Sequence, residues 1–584
     1  MSYKHLRHSN DFCFFIDRPH RYIRSILSDF QYLLQIRHTH GFCTCFEYAW
    51  IRCNPKLAGT ELEEHEFIEI AINAGFLFNE RVTRYSYTLG HHTGMVFIDS
   101  NVGKLMDEFF PAEYKDLFEY SKTPKSGRMY FSLLGYLYPE VKQHTSDRFK
   151  VCYEMALATV FDQIKPYELA SVNTVLNEMP KSTSAGFIAI RETGGRQKKE
   201  NLLPIIKDEY YKMRKAAIRG EEFPNYNMFA MRGHLSKKYE LKTRPIWMQS
   251  AETIVAEKTF SRGLYLQFES TWFKKRMIHG KGALKDLRKY LLRNADMHFV
   301  NTDISGWDAY RAVFNHVRFF KLLKEKIIMG ADDARFYDYI NFKSNIFASV
   351  IFPSGRVFQT NGGLKSGSDW TLAQNSCLNL INNFTVMYMM GVDFKYDIDS
   401  YSVLGDDFSI ISRSRFDVKK FGDMLLKYFS LQVKPEKCFF AEPDQDRKFL
   451  GYELRGGFLY KPTHELWAGA LYTEHYFKVT YDSIAKSFTR MFSYLILGGF
   501  SDYKFVELFY LFLGKYGKWL DSVEYIFDDR SMRMTRVLKD IYNVEISKFN
   551  SETFKKFSFL ATKYILLYDY DLIIVNNEIN IFCF

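Results

Sequence analysis

Three short polar signatures interrupt a largely apolar stretch between His298 and Ser412: FVNTDISGWDAY at 299–310, TNGGLKSGSDWTLAQNS at 360–376 and YSVLGDDFSIIS at 401–412. In the third, Asp406 and Asp407 stand side by side after Gly405, with Tyr401, Ser402, Val403 and Leu404 before them and Phe408, Ile410 and Ile411 after. β-Branched and aromatic flanks around Gly-Asp-Asp predict two strands joined by a two-residue acidic turn. Adjacent carboxylates at such a tip repel one another beside apolar surface, a cost that a divalent cation offsets. Taken alone, Gly-Asp-Asp also fits a solvated surface turn. Context argues against that: Met297 to Val300 predicts another strand, with Asp303 at its C-terminal end and Asp308 five positions on, past a short turn and facing the same cleft. The spacing lets Asp303 share a cation with Asp406, while Asp308 is better placed to meet a sugar hydroxyl.

The middle signature adds neutral polar groups. Ser366 and Gly367 follow a loop holding Gly362 and Gly363, and Thr371 and Asn375, four apart, share one face of a helix that begins there. Glycines are expected to let this loop approach a substrate backbone closely, and Lys365 to add a charge beside the substrate. Upstream, YELKTRPIW places Lys242 and Arg244 on the same side of an extended strand. A guanidinium there can grip two phosphate oxygens, whereas an ammonium acts as a mobile point charge. MPKSTSAGF at 179–187 is a loop by composition, and the small hydroxyl residues Ser182, Thr183 and Ser184 with Gly186 suit close passage of a phosphate backbone.

In this order, D-x4-D, S-G-x3-T-x3-N and G-D-D resemble motifs A, B and C of viral RNA-dependent RNA polymerases. The variant resembles those of partitiviruses and picobirnaviruses, which have double-stranded RNA genomes, and more distantly the picornavirus-like enzymes. The resemblance implies an α+β fold shaped like a right hand. Its expected parts are an N-terminal region bridging fingers and thumb at 1–165, fingers at 166–295, a first palm part at 296–330 and an insertion at 331–361. A second palm part at 362–456, an antiparallel sheet backed by helices, and a helical thumb with a C-terminal segment at 457–584 complete it. The implied activity is template-directed transfer of a nucleoside monophosphate from a triphosphate to an RNA 3′ hydroxyl. Two Mg²⁺ ions, replaceable by Mn²⁺, would be held by Asp303, Asp406 and Asp407. Asp308, Ser366, Thr371 and Asn375 would bind the nucleotide and its ribose, Lys242 and Arg244 in motif F the triphosphate, and Ser182, Thr183, Ser184 and Gly186 in motif G the template. SLQVKPEKCFF resembles motif D, whose lysine protonates the leaving pyrophosphate: Lys437 is the first choice and Lys434 the second. KFLGYELRGG at 448–457 resembles motif E, which supports the primer strand. Expected partners are RNA template and product, nucleoside triphosphates and, as a further candidate, a capsid protein, for a monomeric unit in the virus particle and host cytoplasm.

The elements that must position these groups are partly legible. Amphipathic helices are predicted at 61–78, at 309–330 with Val313, Val317, Phe320, Leu323 and Ile327 inward, and at 416–429 with Phe416, Phe421, Met424, Leu425 and Phe429 inward. Further helices fall at 487–500 and 505–517, and NIFASVIFPSGRVFQTN reads as a hairpin turning at Pro353, Ser354 and Gly355. With 584 residues, 47% hydrophobic and 25% charged, the chain has apolar content for several lobes and too much of it for a disordered protein. A net charge of +11 favours a polyanionic partner. Most of the 55 Phe and 40 Tyr are expected in cores, the remainder being available to stack on bases. Cys43, Cys45 and Cys53, near His38 and His40, fit no common zinc module, and the spacing of the eight cysteines suits a reducing compartment. The basic residues from Lys4 to Arg24 could touch RNA or a protein; the polar start is no secretory leader, and no run reaches the roughly 20 apolar residues of a membrane span. Three rivals explain less. A reverse transcriptase prefers tyrosine where Gly405 stands and a bulky residue where Asp308 stands; a two-metal nuclease or phosphotransferase leaves Ser366, Thr371 and Asn375 unused; a structural RNA-binding or capsid-associated protein needs no paired acids.

Overall fold

The chain divides into Met1–Gly59 and Thr60–Phe584, and the structure described here belongs to the second unit. In this computed structural model the described residues are 62–522, apart from 74–77, 80–83, 90–96, 123, 138–140, 238–241, 271, 280–282, 311, 456, 474–480, 497 and 499–501, together with the backbone of strands at 545–546, 570–575 and 578–583. The basic residues from Lys4 to Arg24 and the cysteines at 43, 45 and 53 lie outside them.

Six strands matter for the site: β1 (Met228–His234), β2 (Lys242–Met248), β3 (His298–Thr302), β4 (Ile398–Leu404), β5 (Asp407–Ser412) and β6 (Phe439–Ala441). β1 and β2 form an antiparallel hairpin, while the other four make an antiparallel sheet in the order β4, β5, β3, β6. Period-two alternation gives that sheet two apolar faces. Val300, Phe408 and Ile410 join the large core, and Phe299, Ile411 and Ala441 join a second one with Leu287, Leu291 and Phe449. Both faces are covered, so the sheet is a rigid base with only its turns and strand ends left to meet a ligand.

Helices α1 (Asp147–Phe161), α2 (Ala251–Ser270), α3 (Val313–Lys324), α4 (Thr371–Met390) and α5 (Val418–Phe429) contribute to the large core. α4 is buried on every side, yet it carries Asn375, Asn379, Asn382 and Asn383. Such amides need partners; Asn382 Oδ1, for example, accepts from Tyr310 Oη at 3.0 Å and Asn315 Nδ2 at 2.6 Å. α5 matches its predicted face: Phe421, Leu425 and Phe429 are buried, Phe416 and Met424 are partly so, and Asp417 caps it by accepting from the Lys420 N–H at 2.9 Å.

The helix expected at 309–330 is divided. A 3-10 turn spans Trp307–Ala309, α3 begins only at Val313, and Ile327–Ile328 leaves the helix to pair in parallel with Tyr167–Glu168. The interruption has a cause in tertiary hydrogen bonding, because the Tyr310 carbonyl accepts from Gly363 instead of continuing a helix. The predicted hairpin forms between Ser349–Ile351 and Val357–Gln359, with Phe78 added opposite Phe358.

A separate core joins the helix Ser100–Phe109 to Thr463–Leu471, Tyr481–Ile496 and Tyr503–Ser522. The N-terminal side thus reaches the C-terminal helices, and Arg490 donates to Asp99 at 2.8 Å within that contact. The same side reaches β2 through the helix Ser126–Leu133, where Ser132 Oγ donates to the Thr243 carbonyl at 3.0 Å. Among the described residues no helix is long and apolar enough to cross a membrane.

Candidate active site

The β4–β5 hairpin closes at the pair Leu404 and Asp407, so the turn is Gly405-Asp406 and Asp407 is the first residue of β5. The expected Asp-Asp turn is therefore corrected by one residue. Gly405 has φ 62°, the left-handed conformation that a two-residue hairpin turn demands at its first position and that glycine adopts without strain. One acid consequently sits at the tip and the other in the ladder. β5 pairs with β3 up to Phe408 opposite Thr302, so Asp407 and Asp303 are the neighbouring residues at that end of the two strands.

The electrostatics follow from this juxtaposition. Burial pushes the Asp407 carboxyl up to about 7, and the charges of Asp406 and Asp303 push the same way against Arg244. Burial also raises Asp406, reinforced by Asp308 and Asp303 and opposed by Arg244; burial raises Asp308, again opposed by Arg244. Asp308 and Asp406 are exposed to water, yet surrounding protein desolvates them. Among the described residues no three His, Cys, Asp or Glu side chains form a ready cation cage. Mutually repelling, water-accessible carboxylates nevertheless fit Mg²⁺, which takes one or two carboxylates and completes its octahedron with water and substrate phosphates.

α4 pins the acidic turn from behind. Ser376 Oγ accepts from the Gly405 N–H at 3.0 Å, and Asn379 Nδ2 donates to the Gly405 carbonyl at 2.9 Å. Neither residue was singled out from sequence, although Asn379 stands one helical turn after Asn375. Asn375 itself is 7% exposed, and its Oδ1 has no hydrogen-bond partner among the described residues.

The loop before α4 departs from expectation in two respects. Its glycines make room for the protein's own atoms: a Cβ on Gly363 would strike the Tyr136 ring, and one on Gly367 would strike the Trp247 carbonyl. Lys365 is 1% exposed and turned inward, so it places no charge on the substrate side. Its ammonium donates to the Gly362 carbonyl at 2.5 Å and the Gly363 carbonyl at 3.2 Å. Ser366 is exposed, and its Oγ accepts from the Trp247 N–H at 3.1 Å. Thr371 Oγ1 lies 2.8 Å from the Lys365 carbonyl and 2.6 Å from that of Ser368, bracing the loop.

In the β1–β2 hairpin Arg232 stands directly opposite Arg244, and His234 opposite Lys242. Like charges in direct register repel, an arrangement suited to an anion between them. The register that sets Arg232 opposite Arg244 is not visible in either strand's sequence alone. Further upstream, Arg191 is paired with Glu209 at 2.5 Å, and Lys199 is buried. The 181–186 loop forms as predicted, tied to its neighbours by Lys199 N–H to Thr183 O and Ala185 N–H to Gln197 O, both 2.9 Å. Ser184 is exposed, Ser182 and Thr183 are partly exposed, and Gly186 packs on Gln249. Downstream, the Lys434 N–H donates to the Asp303 carbonyl at 3.0 Å, while Lys437 lies exposed in the following turn. The backbone thus brings Lys434 to the acids and leaves both lysines as candidates. The stretch resembling motif E forms a three-stranded sheet, Arg447–Phe449, Tyr452–Arg455 and Phe458–Tyr460.

A family model described as viral RNA-dependent RNA polymerase matches residues 109–507. Two solved structures share the fold: an insertion-loop deletion mutant of the RNA-dependent RNA polymerase of a human picobirnavirus, at TM-score 0.52 and 13% identity over 78% of this chain and 92% of that one, and the polymerase without that deletion, at TM-score 0.50 and 13% identity over 77% and 90%. No curated protein matches the chain. The family match spans well over half the sequence and contains the acidic hairpin, the glycine loop and the basic hairpin, and the chain belongs to the viral RNA-dependent RNA polymerases, enzymes of template-directed RNA synthesis.

Proposed function

We propose that synthesis proceeds by two-metal nucleotidyl transfer at the acidic hairpin, with Asp303 and Asp406 holding the metals and Asp407 supporting them. The observation that carries this reading is the pairing of β5 with β3 up to Phe408 and Thr302, next to Asp407 and Asp303, with Arg244 opposing the charge around Asp407. When bound, two Mg²⁺ ions would favour ionisation of the RNA 3′ hydroxyl and offset charge on the departing phosphates. The 3′ hydroxyl gives up its proton to water as its oxygen attacks the α-phosphorus, the bond to the α–β bridging oxygen breaks, and pyrophosphate leaves, taking a proton from Lys437 or Lys434. Lys242 and Arg244 hold the triphosphate. Asp308 and Asn375 read the ribose 2′ hydroxyl, and Asn375 Oδ1, without a partner among the described residues, supports that role as an acceptor. Ser366 and Thr371 shape the loop beneath the nucleotide, and Ser182, Thr183, Ser184 and Gly186 guide the template.

In this reading residues 166–295 are fingers, with an insertion at 331–361; 296–330 and 362–456 are palm, and 457–584 thumb and C-terminal segment. Residues 1–165 bridge fingers and thumb, supported by the contacts of Ser100–Phe109 and Ser126–Leu133. The motif resemblance extends the reading to replication and transcription of a double-stranded RNA genome in the virus particle and host cytoplasm, beside a capsid protein. Primer extension on an RNA template with Mg²⁺ tests the chemistry: ribonucleotides are incorporated, while deoxyribonucleotides and template-free reactions give little product. Wild-type activity in Asp303→Ala would end the assignment.

A further inference from the structure

We propose that Lys365 is a positioning residue for sugar selection, clamping the motif B loop from beneath to β2 and to the turn that carries Asp308. The inference rests on the reading of Asp308 as the ribose contact.

A buried ammonium is costly unless its donors are satisfied. Among the described residues no carboxylate forms a salt bridge with Lys365; its recorded partners are the Gly362 and Gly363 carbonyls and the Trp247 ring, 5.2 Å away. The residues on either side of it are tied to different parts of the site. The Leu364 N–H donates to the Asp308 carbonyl at 2.9 Å, and Ser366 Oγ accepts from Trp247. Tyr136 completes the clamp, donating to the Leu364 carbonyl at 3.2 Å and accepting from Trp247 Nε1 at 3.1 Å. Removing the ammonium releases the Gly362 and Gly363 carbonyls, just before these anchors, and its contact with Trp247, so Ser366 and Asp308 lose their fixed separation. The acidic turn has independent anchors in Ser376 and Asn379. Sugar recognition should therefore suffer more than chemistry.

The test compares single-nucleotide incorporation of ribonucleoside and 2′-deoxyribonucleoside triphosphates by wild type, Lys365→Met, Lys365→Gln and Asp308→Ala. Lys365→Met fills similar volume without donors. It is expected to reduce ribose preference about tenfold, the size of one lost buried hydrogen bond, mainly through KM, with kcat changed less. Lys365→Gln, which keeps an amide donor, should recover part of the preference and serves if Lys365→Met does not fold. Hydrogen exchange should quicken in 360–368 and stay unchanged in 401–412. If Asp308→Ala loses ribose preference while the Lys365 variants keep it, the clamp is refuted and the sugar reading stands. If Asp308→Ala keeps it, the sugar reading falls, and unchanged exchange in 360–368 would remove the clamp as well.

Discussion

The acidic tip of the β4–β5 hairpin and the ammonium beneath the motif B loop are both charges in desolvating surroundings, and the fold treats them oppositely. At the tip, burial and then the neighbouring acids raise the carboxyls of Asp406 and Asp407, Arg244 opposes both, and Asp406 is exposed to water. Lys365 is sealed from water against two carbonyls and a tryptophan. Arg447 follows the second pattern: it is 2% exposed and donates to the carbonyls of Leu291, Arg293, Asn294 and Met297 at the entrance to β3. Repelling charges open to water mark where a ligand must complete the site. Charges enclosed by backbone carbonyls hold the frame around it.

Removing the open charges gives the largest expected effect. Asp303→Ala or Asp406→Asn should lower kcat by about a thousandfold or more, with Asp407→Asn milder. Thermal stability of the metal-free protein should stay level or rise, since each change relieves repulsion. Primer extension beside a thermal melt separates the two; an inactive variant that also melts far below wild type would class these acids with the frame.

Next in size is the support behind the tip. Asn379→Ala removes the amide that holds the Gly405 carbonyl, and a turn displaced by a fraction of an ångström should cost roughly ten- to a hundredfold in kcat. The KM for nucleoside triphosphate should barely change, because Arg244 is placed by a different hairpin. An increase in KM with kcat intact would show that the turn and the triphosphate channel are not separable.

What could be read from sequence follows the same division. The acids, the basic strand and the hairpin turn are encoded locally, in Gly-Asp-Asp, Lys242-Thr-Arg244 and Pro353-Ser-Gly355, and they emerge within a residue of expectation. The frame is encoded at long range. Tyr136 meets Leu364 across 228 positions, and the stretch without visible motif at 272–279 supplies the Arg276 carbonyl that accepts from Val403 on β4. A lysine beside Ser366 carries no local sign of direction; in the fold its ammonium turns in on the Gly362 and Gly363 carbonyls and lies over Trp247, 118 positions earlier. Glycines in the same loop suggested a substrate's close approach, when Tyr136 and Trp247 occupy the space.

The smallest effects are the most specific to the contrast, since the two regions should titrate with opposite slopes. The Asp407 carboxyl stands near 7 in the folded chain, above its unfolded value of about 3.9, so the folded state binds the extra proton between these values. Stability contributed by that group is full below about pH 4 and is lost as pH rises through 7. Asp407→Asn should remove this decline, and Mg²⁺ should raise the wild-type melting temperature more at pH 8 than at pH 5.5. Burial pushes Lys365 down to about 7 from an unfolded value of about 10.4, so here the unfolded chain binds the extra proton. Wild type should therefore gain on Lys365→Met as pH rises from 7 towards 10, whatever their offset at neutral pH. Urea unfolding of the three proteins across that range measures both slopes. A parallel course for wild type and Lys365→Met would mean that the ammonium keeps its proton in the fold, held by the Gly362 and Gly363 carbonyls strongly enough to cancel its desolvation.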